Sequence, residues 1–189
     1  MLEVTILNLY LPFLVGYALI WSAMIYVDSK REKKIENQDQ YQDNNGWVRF
    51  VRGFLPTLIL FITSFFIPLT NSVLIIIGLI IYLLGIIVYL FAIRYFLKSQ
   101  SELNTLGLYK YSRNPMYLGG MFFILGLNLM GWSNEVINYL FLLLSIGWLI
   151  TIHFHVLSEE SFLLRKYGKS FQEYMKNTPR YIGKPKFYQ

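Results

Sequence analysis

The stretch GFLPTLILFITSFFIPLTNSVLIIIGLIIYLLGIIVYLFAI (residues 53–93) runs without a single charged residue. A helix crossing the bilayer core needs roughly 20 mainly apolar residues, so this run is long enough for two crossings. PLTNS (68–72) interrupts it with a proline, an asparagine and a serine, which closes the two segments into a helical hairpin. Working outward, uncharged runs also occupy residues 4–27, 114–134 and 136–158, and GWSNE (131–135) marks a second hairpin turn. The expectation is an all-α, polytopic membrane helix bundle: one domain over residues 1–189 with five crossings, about 4–27, 53–69, 73–96, 115–131 and 136–157. The second and fourth are short enough to sit obliquely.

Charge placement fits that count. All 17 lysines and arginines fall within residues 30–52, 94–113 and 165–186. Five crossings put these three regions on one side, and positive charge marks the cytoplasmic side. The amino terminus is then outside, with the carboxyl terminus and the polar loop 28–52 inside. The net charge of +6 is accounted for by orientation and anionic lipid, and calls for no nucleic-acid partner. The absence of cysteine excludes disulfides, thiolate catalysis and thiolate metal sites. MLEV at the start lacks the basic segment of a cleaved leader, so the first apolar run reads as a crossing.

Gly78 and Gly85, like Gly119 and Gly126, recur at a seven-residue spacing and should form small-residue stripes that let helices approach closely. Beyond the last crossing, Leu163, Tyr167, Phe171, Tyr174 and Met175 alternate with Arg165, Lys166, Lys169 and Lys176. That pattern predicts a basic amphipathic helix lying in the membrane interface, bent or broken at Gly168. The turn-rich tail from Pro179 is placed to close over whatever lies beneath.

Ionisable residues at the membrane edge are functional candidates because they are costly to leave unpaired there. Two groups qualify. Tyr109, Tyr111, Arg113, Asn114 and Tyr117 stand at the entrance to the fourth crossing, and His153, His155, Glu159 and Glu160 at the exit of the fifth. The short hairpin between these crossings should bring the two groups together. His155 and Glu159, and Arg113 and Tyr117, are each four apart and share a helix face. Pro115 suits the first turn of a helix. On spacing alone a plainer reading stays open, in which Arg113 snorkels to lipid phosphate, the tyrosines form an aromatic belt and both glutamates are solvated. A metal site is not indicated, since histidines two apart do not share a helix face.

GLYKYSRNPMYLG (107–119), followed by HVLSEESFLLRKYGKSFQEYMKNTPRYI (155–182), resembles the isoprenylcysteine carboxyl methyltransferase family, its bacterial and archaeal members and, more distantly, the phospholipid N-methyltransferases. The resemblance covers about residues 100–182. It implies an S-adenosylmethionine site contacted by Tyr109, Asn114, Pro115, Met116 and Tyr117, with Ser101, Glu102, Leu103 and Asn104 nearby and Glu159 binding from the facing helix. Arg113 and His155 would face a lipophilic or lipidated acceptor, and Arg113, His155 and Glu159 would carry catalysis. Asn114 stands where the family usually has histidine, and His155 where arginine is common.

The chemistry suits those roles. Tyrosine faces favour a sulfonium cation and a carboxylate takes an ammonium group. An amine acceptor must lose a proton, for which His155 is the available base, whereas a carboxylate acceptor needs none. No glycine-rich strand–turn–helix fingerprint of a soluble nucleotide site is present. The carboxyl-terminal half is also similar to membrane sterol and steroid reductases, which use NADPH, and a non-enzymatic membrane scaffold is the third reading.

Overall fold

The computed structural model describes residues 8–32, 55–69, 73–99 and 103–183. Most of the polar loop 28–52 and the outermost residues of the first expected crossing lie outside them. Among the described residues the secondary structure is helical throughout, apart from an isolated antiparallel bridge between Asn8 and Pro68. The α-helices are α1 (Tyr10–Glu32), α2 (Leu55–Ser64), α3 (Val73–Lys98), α4 (Pro115–Met130), α5 (Val136–Tyr167) and α6 (Lys169–Asn177), with one 3-10 turn at Gly107–Lys110. Two of them, α3 and α5, are long and apolar enough to cross a membrane.

α2 is shorter than the crossing expected over 53–69. Its 10 residues rise about 15 Å, half the hydrocarbon thickness. Near its end, Thr63 and Ser64 turn their hydroxyls back onto the carbonyls of Leu60 and Phe61, which competes with continued helix. The chain then leaves the helix. Leu9 N donates to Ile67 O at 2.8 Å and Asn8 Nδ2 to Phe65 O at 2.5 Å, so the start of α1 satisfies the carbonyls that a longer α2 would have used.

The closest pairing in the bundle is α3 against α4, and the two glycine stripes cause it. They face each other in antiparallel order, Gly78 opposite Gly126 and Gly85 opposite Gly119. A Cβ on Gly126 would stand 2.5 Å from Tyr82 N, and one on Gly85 2.5 Å from Phe123 N. Backbone therefore meets backbone across this seam, and any side chain would push the helices apart. Around it Tyr82, Ile86, Phe123, Ile124 and Leu127 form the main apolar core with Phe13 of α1, Leu60 of α2 and Phe141 of α5.

α4 and α5 are joined by the expected hairpin. The Asn138 amide caps it by donating to the Gly131 carbonyl, and Ser133 Oγ donates to Asn138 Oδ1 at 2.8 Å. Deeper in, Asn128 Nδ2 on α4 donates to Ser145 Oγ on α5 at 2.9 Å. α5 continues ten residues past the expected end of its crossing, so His153, His155, Glu159 and Glu160 all ride on one rigid helix. It stops at Gly168, whose φ of 52° and ψ of −120° lie where side-chain-bearing residues are strained. The chain reverses into α6. The apolar face of α6 is turned onto the protein: Phe171 is buried, and Tyr174 reaches back to the 3-10 turn.

Candidate functional site at the end of α4 and α5

The segment before α4 is held in place from both sides. Gly107 takes φ 55°, and a Cβ there would also strike the Tyr95 ring of α3, so both the backbone and the packing call for glycine. The turn it opens buries Tyr109, and Tyr174 Oη of α6 donates to the Tyr109 carbonyl at 2.6 Å. Burial holds the Tyr174 phenol well above its ordinary range, so it stays a proton donor. Leu108 O then accepts from both Tyr111 N and Ser112 N at 3.0 Å. Pro115 opens α4 fully buried.

Asn114 occupies the N-cap position of α4, yet its side chain does not cap the helix. Its Nδ2 donates instead to Glu160 Oε1 at 3.1 Å and to Arg180 O at 3.3 Å. Glu160 is the centre of a clamp. Oε1 also accepts from Arg113 Nε at 3.1 Å and lies 3.1 Å from Arg113 Nη2. Oε2 accepts from Arg180 Nε at 3.0 Å and Nη2 at 2.8 Å. Burial alone would raise the Glu160 carboxyl, but the Arg180 hydrogen bonds, the two guanidinium charges and the Asn114 amide outweigh it. The carboxyl therefore titrates below the ordinary carboxylate range and stays ionised.

The same clamp ties down the chain after α6. Arg113 Nη1 donates to Met175 O at 2.8 Å and Thr178 O at 2.9 Å, and Arg113 N to Pro179 O at 2.9 Å. Ser112 Oγ donates to Arg180 O at 3.2 Å. Residues 175–180 thus form a strap bolted across the entrance of α4, which realises the closure expected of the tail.

Glu159 points elsewhere. Adjacent residues on a helix lie about 100° apart, so Glu159 faces Tyr117 within α4 while Glu160 faces the strap and the residues that lead into α4. Glu159 Oε2 accepts from Tyr117 Oη at 2.9 Å, and its other oxygen has no partner among the described residues. His155, one turn earlier and exposed, stands edge-on to the Tyr117 ring at 6.0 Å between centroids. The phenols of Tyr89 and Tyr109 lie within electrostatic reach of Tyr117. Met116 packs on Tyr89 and Ile93 of α3. Upstream, Asn104 Oδ1 accepts from Leu106 N at 3.1 Å, while its buried Nδ2 has no hydrogen-bond partner among the described residues.

The structure therefore brings Tyr117, Glu159 and His155 together and sets Tyr109 close by. Arg113 and Asn114, expected to face acceptor and cofactor, are gathered into the clamp with their donors engaged there. His153 pairs with Tyr181, its Nδ1 3.1 Å from Tyr181 Oη. Leu103 and Asn104 are half-buried, and Ser101 and Glu102 lie outside the described residues. Tyr111 is exposed. Sequence reasoning assigned no role to Ser112 or Arg180. The signal available for Arg180 was its place in the proline–arginine pair that closes the second motif.

Among the described residues Glu159 supplies an unpaired carboxylate oxygen, which suits an ammonium group, and Asn104 an unpaired amide donor, which suits a carboxylate. Comparison with curated proteins and with solved structures returned no match. The sequence model of the family described as phospholipid methyltransferase matches residues 68–170. That range takes in α3, the 3-10 turn, α4 and α5, and so both members of the Tyr117–Glu159 pair. Of the two groups named from the motifs, the match falls on the more distant. Spanning more than half of the sequence and including the helices that build the site, it places the protein among membrane methyltransferases: the chain belongs to the phospholipid methyltransferase family.

Proposed function

We propose that the protein is a multi-pass membrane enzyme that uses S-adenosylmethionine to methylate a lipid acceptor at the cytoplasmic membrane face. The observation that carries the reading is the Tyr117–Glu159 pair, which joins the two motifs at one end of α4 and α5 and leaves one Glu159 oxygen unpaired. Glu159 takes the cofactor's ammonium group, the faces of Tyr117 and Tyr109 favour its cationic sulfonium, and Asn104 donates to its carboxylate. When bound, the cofactor supplies a methyl group activated on sulfur. Leu103, Pro115 and Met116 belong to the same wall in this reading, and Ser101 and Glu102 are added to the cofactor residues by the motif alone.

The protein's own work is to orient the acceptor in line with that methyl and to keep water out. The clamp fixes the start of α4 relative to α5, and with it the distance between Tyr117 and Glu159. An amine-headed phospholipid is the favoured acceptor. The family description names a phospholipid, and His155 stands exposed beside Tyr117, where it can take the proton an amine must lose. A prenylcysteine-like carboxylate would call on the Arg113 guanidinium, whose Nε, Nη1 and Nη2 are already engaged.

The test is calorimetric binding of S-adenosylmethionine, S-adenosylhomocysteine and NADPH to the detergent-purified protein, with Glu159→Ala beside it. The reading expects both sulfur nucleosides to bind and to lose at least ten-fold in the variant, about the scale of one charge-assisted hydrogen bond. Binding of NADPH alone moves the protein to the reductases. Binding of neither by folded protein favours the scaffold. Orientation is read separately: the native chain has no cysteine, so cysteines placed at Asn134 and Lys176 should label from outside and inside respectively.

A further inference from the structure

A single negative charge on Glu160 faces two guanidinium groups, and both of its oxygens are spent on them. The cluster therefore carries an excess positive charge. Arg113 is enclosed, with its side chain 9% exposed and two carbonyls on Nη1. Arg180 is open: its side chain is 36% exposed, Nε and Nη2 are bonded to Glu160, and Nη1 has no partner among the described residues. A guanidinium edge left over from one ion pair is a ready fork for a second oxyanion.

Depth decides which anion reaches it. The uncharged run of α5 ends at Ser158, and Glu160 stands two residues, about 3 Å, beyond that point along the helix. Arg180, bonded to it, therefore lies where hydrocarbon gives way to lipid headgroups. From there the Tyr181 side chain reaches back toward the membrane. Tyr181 Oη meets His153 Nδ1 at 3.1 Å, and His153 lies seven residues, roughly 10 Å, back along α5. Ile182 follows, 72% exposed. An arginine at headgroup level, a tyrosine below it and an exposed isoleucine match the layering of a phospholipid: phosphate, glycerol, acyl chain.

We propose that Arg180 is a phosphodiester-binding residue, holding the phosphate of a glycerophospholipid on its free Nη1 edge while Tyr181 and Ile182 lie along the glycerol and acyl region. That this lipid is the acceptor, with its amine headgroup directed toward His155, rests on the function proposed above. A phospholipid seated beside the site would present the same phosphodiester, and the experiment separates the two.

The probes are dihexanoylphosphatidylethanolamine and dihexanoylglycerol, titrated by calorimetry into the full-length protein in a phosphate-free nonionic detergent. The wild type is expected to prefer the phospholipid by ten-fold or more. Arg180→Lys keeps a charge for Glu160 but lacks the second fork, and should lose most of that preference, roughly ten-fold. A wild type that binds both probes equally overturns the proposal, and this arm needs no variant. A folded Arg180→Lys protein with the preference intact overturns the assignment to Arg180. If the bound lipid is the acceptor, the variant raises the KM for the amine-headed lipid with kcat held. If it is a neighbouring lipid, phospholipid binding falls while that KM stays put. S-adenosylhomocysteine binding on the same samples reports on the function by itself: its absence beside an intact phosphodiester preference would remove the methyltransferase reading and leave the lipid subsite standing.

Discussion

Replacing Glu160 with alanine should be the most damaging single change at the membrane edge. The substitution removes the acceptor of two guanidinium groups and one amide at once. Arg113 cannot recover by moving into water, since its side chain is 9% exposed and Nη1 is fixed by Met175 O and Thr178 O. Removing one partner of a buried ion pair costs about 3–5 kcal/mol, because the remaining charge is left uncompensated. Arg180, at 36% exposure, sits in a more screened pairing. Arg180→Ala should therefore cost only about 1 kcal/mol or less. The assay is denaturant unfolding in detergent, followed by tryptophan fluorescence, with both variants and Glu159→Ala in parallel. The expected order is Glu160→Ala far below the rest. The linkage has a definite sign. The folded Glu160 carboxyl titrates below its ordinary value of 4.5, so its contribution is complete above that pH and is lost as pH falls through the lower folded value. Wild type should weaken below about pH 4.5 by a component that Glu160→Gln lacks. An unfolding midpoint for Glu160→Ala within error of Glu159→Ala would refute the reasoning, because the clamp would then hold nothing.

Glu159→Ala should leave stability near wild type while removing nucleoside binding, and Tyr117→Phe should weaken that binding less, since it deletes one hydrogen bond and keeps the ring; equilibrium binding checks both. Gly126→Ala should destabilise by about 1–3 kcal/mol through backbone overlap with Tyr82. Gly147→Ala should be neutral or stabilising, because nothing lies within 4 Å of that position. Ser145→Ala should cost about 0.6–1.7 kcal/mol, the range for a hydrogen bond between helices in a membrane, as it takes one acceptor from Asn128. Unfolding in detergent ranks all three.

The helices were legible because apolar runs and turn residues are local signals. The 68–72 and 131–135 interruptions separate α2 from α3 and α4 from α5 where they were expected. The glycine spacing was legible as well, and it named the residues of the α3–α4 seam. That the two stripes face each other was not, since spacing along one helix carries no information about its partner. The length of α2 was hidden for a similar reason. What ends it is Asn8 and Leu9, more than fifty residues earlier, taking the Phe65 and Ile67 carbonyls.

The site divided along the same line. Tyr117 and Glu159 could be brought together from the hairpin alone, because its two helices start from one short turn and stay neighbours to their far ends. The resemblance singled out Glu159 and left Glu160 without a role, but spacing alone could not tell the two glutamates apart. Side by side on a helix they must address different surroundings, about 100° apart, and deciding which faces the site requires knowing what faces the other. That partner is Arg180, twenty residues on and past a glycine at φ 52°, where helical periodicity no longer carries a prediction. Once the strap is placed, the pair resolves into two jobs. Glu160 must stay ionised and saturated for α4, α5 and the strap to hold their register. Glu159 must keep an oxygen unspent. A chain with one glutamate here could do either but not both, since a carboxylate already holding two guanidiniums has no oxygen left to offer a ligand.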